Sequence, residues 1–119
     1  LSDQKKKDYS FHLETIKKDG EDLFERKQME DFSFFTSSKI NFLADTVCLL
    51  KAKLPIYVKY GITELKEVDG EFTLLLSDFL TTDLTDLSKG TKWSKLCDYV
   101  YQNLGDINIK SYKSLIKLV

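Results

Sequence analysis

One proline, five glycines, two cysteines and a single histidine are all that this 119-residue sequence contains of those types, and each scarcity closes off a class of protein. A chain with 42% hydrophobic and 13% aromatic residues, and so little proline and glycine, is no disordered or low-complexity polymer. It has enough apolar mass for one core. Cys48 and Cys97 stand far apart with no second Cys or His near either, so neither a zinc site nor a disulfide framework is suggested. That usage fits a reducing compartment, and an intracellular, cytoplasmic location is expected. No apolar run approaches the roughly 18 residues of a spanning helix, and the Lys-rich, then acidic N-terminus does not follow a signal-peptide pattern. Arg26 is the one arginine, which weighs against a dedicated nucleic-acid reader, because phosphate and guanine favour the guanidinium fork. Glycine-rich phosphate loops, dinucleotide fingerprints and nucleophile elbows are missing, and Asp19-Gly20 and Asp69-Gly70 lack the alternating oxygen ligands of a calcium loop. No cofactor, metal ligand set or small-molecule substrate is therefore indicated, and no catalytic residue is nominated.

What is present points to helices. The length suits a single domain spanning 1–119. A start at Leu1 rather than Met, and an end inside the apolar pattern Leu115-Ile116-Lys117-Leu118-Val119, are what a fragment of a longer chain would show. Charge is uneven: residues 1–33 and 34–88 are net negative, whereas 89–119 carry six lysines against two acids.

Tyr9, Leu13 and Ile16 fall on one helical face before Gly20, and Leu23 and Phe24 begin a second, short, highly charged helix after it. Phe34-Phe35-Thr36-Ser37-Ser38 has the make-up of a helix entrance, with a hydroxyl cap and an apolar staple. Ile40, Leu43, Val47, Leu50 and Leu54 then step alternately by three and four, which predicts a helix over 38–53 with a coiled-coil-like seam. Pro55 should end or kink it.

Beyond the proline two readings compete. Ile56, Val58, Tyr60 and Ile62 alternate as a strand would, and Asp69-Gly70 could turn a hairpin into Phe72, Leu74 and Leu76. Val58, Ile62, Leu65, Val68, Phe72, Leu75 and Phe79 instead continue the helical seam and explain more positions, with a break expected near Gly70. Thr81-Thr82-Asp83 offers a cap before Leu84 and Leu87, with Gly90 just past that helix. Trp93, Leu96, Cys97, Val100 and Leu104 form the next stripe, stopped by Gly105, and Tyr112, Leu115, Ile116 and Val119 the last. The expected fold is all-α, a compact or somewhat elongated bundle of about five to seven helices, with an α+β alternative carrying a β-hairpin at 56–80.

Function is expected from binding. The favoured reading is a non-catalytic helical protein–protein interaction or assembly module, an adaptor or scaffold. Its seam residues Leu43, Val47, Leu50, Val58, Leu65 and Phe72 would face the core or a protein partner, a second copy included. The alternative is a basic face, Lys92 and Lys95 on one helix and Lys110, Lys113 and Lys117 on the next, meeting nucleic acid or anionic lipid. A third reading is a small enzyme fragment centred on His12 or a cysteine, although His12 reads as a surface residue and both cysteines as small hydrophobes. Asp69/Glu71 and Asp83/Asp86 read as solvated helix ends.

Overall fold

The computed structural model describes residues 2–52 and 61–105. Every regular element among them is helical: α1 (Asp3–Glu25), α2 (Met29–Ala52), α3 (Ile62–Val68), α4 (Gly70–Thr81) and α5 (Ser88–Asn103). The all-α expectation holds, and residues 61–81 form two helices in place of a hairpin arm. Val58 and the rest of 53–60 lie outside the described residues, as do Lys110, Lys113, Lys117 and the final apolar stripe.

The first helix runs straight through Gly20, where a boundary was expected. A side chain there has no room: an added Cβ would sit 2.2 Å from Nε1 of Trp93 on α5. With residue 20 bare, the backbone carbonyl of Ile16 stays open, and the buried indole N–H donates to it at 3.1 Å. Gly90 is likewise inside α5, not past a helix end, because Phe24 of α1 packs against it and an added Cβ would meet Cδ2 of that ring at 2.6 Å. Each of the two helices thus presents a glycine to an aromatic ring of the other. Their close crossing is the most extensive helix–helix contact among the described residues.

The end of α1 has no glycine to mark it. The Gln28 N–H donates to the Leu23 carbonyl and the Lys27 N–H to the Phe24 carbonyl, both at 3.0 Å, which is a Schellman closure with Lys27 in the left-handed region at φ 60°. The chain re-enters a helix at Met29, so the expected entrance at 34–38 falls inside α2. Its hydroxyls serve the helix from within: Thr36 Oγ1 donates to the Phe32 carbonyl at 2.9 Å and Ser38 Oγ to that of Phe35 at 2.7 Å. The break near Gly70 is real and is made by Asp69, whose carboxylate accepts from the Phe72 N–H at 3.1 Å and caps α4. Leu84 and Leu87, expected on a helix, lie exposed in the turn before α5.

The core joins all five helices. Phe24, Phe32, Phe79 and Trp93 form a chain of tilted ring contacts with centroids 5.1 to 6.2 Å apart, linking α1, α2, α4 and α5. Leu96, Cys97, Val100 and Leu104 are all buried, as their stripe predicted. The Lys89 side chain, though charged, is buried with its ammonium 4.2 Å from the centre of the Phe79 ring, and it donates to the Phe79 carbonyl at the end of α4.

Candidate functional site

The predicted partner seam is the core of the protein itself. Leu43, Val47, Leu65 and Phe72 are at most 4% exposed, and Leu50 is half-buried against them. A partner could reach the four buried residues only by opening the bundle, so their 3–4 spacing records burial within the fold. The basic face is divided. Lys92 is tied to Asp78 at 3.1 Å and to the Thr82 hydroxyl at 2.9 Å, while Lys95 is exposed. Its other three lysines lie outside the described residues.

His12 is half-buried with its ring edge-on to Phe42 at 4.5 Å; burial, and then the nearby Lys39 charge, lower its pKa. Both cysteines are buried thiols outside any disulfide, and burial pushes the Cys97 thiol far up, away from the thiolate form that a nucleophile needs. Asp69 corrects the reading of solvated helix ends. It is buried, and besides capping α4 it accepts from the Tyr99 hydroxyl at 2.7 Å and lies 3.9 Å from the Lys51 ammonium. Asp86 does sit at a solvated helix start, accepting from the Ser88 N–H and hydroxyl, both at 2.8 Å. Among the described residues no group of three or more His, Cys, Asp or Glu could hold a metal ion, and no helix is long and apolar enough to cross a membrane.

The surface feature of most consequence lies where α1 and α5 cross. Packing Trp93 onto Gly20 and Phe24 onto Gly90 draws the helices together. The small residues Gly90, Ser94 and Cys97 line the surface beside the crossing and leave the ground there low. Two hollows result. One, of about 650 Å³, has Leu13 and Cys97 in its lining and charged walls of Glu14, Lys17, Glu21 and Asp98. The other, of about 450 Å³, is lined by Phe24, Gly90 and the 87%-exposed Leu87. Glu21 and Glu25 line both, so the two hollows form one groove with an acidic ridge.

Cross-links set the electrostatics of the groove. Lys17 pairs with Asp98 at 2.8 Å, and that hydrogen bond is the main reason its pKa is raised. Ser94 donates to Glu21 at 2.6 Å and Tyr101 to Glu14 at 3.3 Å. No protein-family model, no curated protein and no solved structure matches this chain.

The acids of this groove, Glu14, Glu21, Asp22, Glu25 and Asp98, were not nominated as site residues from the sequence. Their two helices are more than sixty residues apart in the chain, and which face of each turns toward the other depends on Gly20 and Gly90, whose role is invisible without the fold. One signal was available: Glu21, Asp22 and Glu25 crowd the last turn of a helix that has no basic residue there. It could be read only once the helix end was known.

Proposed function

We propose that the protein is a non-catalytic helical interaction module that engages a protein partner along the α1–α5 groove. The observation carrying this reading is the amphipathic character of the groove: an apolar end at Phe24 and Leu87 running into ionised walls, open to solvent along its length. Such a surface suits a docked chain segment, in which an apolar anchor provides affinity and a charged surround provides selectivity. An exposed leucine at the rim fits this role, since its 87% exposure costs hydration in the free protein that a partner would recover.

The direct test is capture of partners from cells with the wild-type chain and with Leu87→Asp. Leu87 is 87% exposed at the start of α5, so an aspartate there should leave the fold intact, with the thermal midpoint unchanged or slightly raised. A partner retained by the wild type and lost with the variant supports the module. Partners bound equally by both would sink the groove as its site. Light scattering across a range of concentrations distinguishes a foreign partner from a second copy of the chain. Binding to nucleic acid or anionic lipid through Lys92, Lys95, Lys110, Lys113 and Lys117 is the competing proposal. It has less support, because Lys92 is already committed to Asp78.

A further inference from the structure

We infer that the segment docking in this groove is basic: a peptide with two or more lysine or arginine side chains flanking an apolar residue, the apolar residue seated beside Phe24 and Leu87. The inference rests on the interaction-module reading and adds the chemistry of the partner. Five carboxylates line the larger hollow, those of Glu14, Glu21, Asp22, Glu25 and Asp98, against two ammonium groups. Lys17 is committed to Asp98 and attracts Glu21 more weakly. Lys18 is exposed. The hydroxyl that Ser94 donates to Glu21 fixes the carboxylate without neutralising it. Asp22 and Glu25 have no ion-pair partner among the described residues, and Arg26 and Lys27, in the turn immediately beyond, make none with them.

The placement of these acids is unfavourable to the free protein on two counts. They occupy the last turn of α1, the carbonyl end, where the helix dipole favours cations. Glu21 and Glu25 also stand four apart on one face, where like charges repel. A cationic side chain entering between the hollows would reverse both terms together, at a ridge shared by the charged hollow and the apolar one. An acidic or phosphate-bearing ligand would meet the same field as repulsion.

The test uses the full chain and a displayed library of random peptides of about fifteen residues, four helical turns. Selection on the wild-type protein should enrich peptides carrying two or more Lys or Arg near an apolar residue. Enriched peptides should bind at least about tenfold more weakly to the Glu21→Lys/Asp22→Lys/Glu25→Lys variant, and should weaken steeply with added salt. The isosteric Glu21→Gln/Asp22→Asn/Glu25→Gln variant should show an intermediate loss with its helix content intact, which separates charge from folding. Enrichment of neutral or acidic peptides, or of none above the charge-reversed variant, overturns the inference. If neutral peptides are selected that are lost with Leu87→Asp and kept by the charge-reversed variant, the charge inference falls and the interaction module stands.

Discussion

Replacing Gly20 with alanine separates two accounts of that glycine by several kcal/mol. If Gly20 were only a weak point in a charged helix, alanine would stabilise the chain by ~1 kcal/mol through helix propensity. The structure requires the opposite. The new methyl would overlap the Trp93 indole, 2.2 Å from Nε1 and 2.6 Å from Cδ1, and the ring is fully buried with Phe79 packed at 5.4 Å. Restoring a normal carbon contact of about 3.6 Å means moving the ring by more than 1 Å in a close-packed core, and overpacking of that kind costs ~1–3 kcal/mol. The same movement breaks the indole hydrogen bond to the Ile16 carbonyl and leaves a buried N–H without a partner, a further ~1–3 kcal/mol. After the propensity gain is subtracted, Gly20→Ala should destabilise by ~1–5 kcal/mol, which for a domain of this size lowers Tm by several degrees or more. Urea unfolding followed by the fluorescence of Trp93, the single tryptophan, reads both stability and the ring's surroundings. Gly70→Ala is the control, since a Cβ there meets nothing within 4 Å and should be neutral or stabilising by up to ~1 kcal/mol. A Gly20→Ala protein as stable as the wild type would refute the close-approach argument.

Three further outcomes are expected. Lys27→Gly should raise stability by ~1 kcal/mol in chemical denaturation, because glycine holds the left-handed closure of α1 without the Cβ penalty; a loss would mean that the Lys27 side chain is needed. Asp69→Ala should cost ~2–4 kcal/mol, combining the lost α4 cap with an orphaned Tyr99 hydroxyl, whereas Tyr99→Phe should cost ~1–3 kcal/mol; equal losses would argue against the dual role of Asp69. His12 has a folded pKa below its unfolded value of 6.5, so the fold favours the neutral ring: its contribution is complete above pH 6.5 and is lost as pH falls through 6.5 toward the folded pKa. The stability of His12→Phe relative to wild type should therefore improve between pH 7.5 and 5.5, and a pH-independent difference would contradict this.

Helicity was legible because burial on one face leaves a 3–4 stripe wherever it occurs. The stripes at 40–50, 65–79 and 93–104 coincide with α2, with α3 and α4, and with α5, and the Asp69-Gly70 break with a true capping aspartate. Periodicity also says which face is covered, but not by what, and so the seam at Leu43, Val47, Leu65 and Phe72 suited a partner helix as well as it suits the core. Local chemistry misled where tertiary contact overrode it. Gly20 and Gly90 were read as punctuation, though each is the bare spot on which an aromatic ring rests, and Thr36 and Ser38 were read as caps, though each bonds back within a continuous helix.

Residue types and their spacing along the chain thus determined the class of the fold, most of its buried faces and the turn at Asp69. The crossing of α1 over α5, and with it the acidic groove, was decided only in three dimensions. Its residues meet across more than sixty positions of sequence, and a sequence pattern specifies a helix's neighbours along itself, not the helix it will touch.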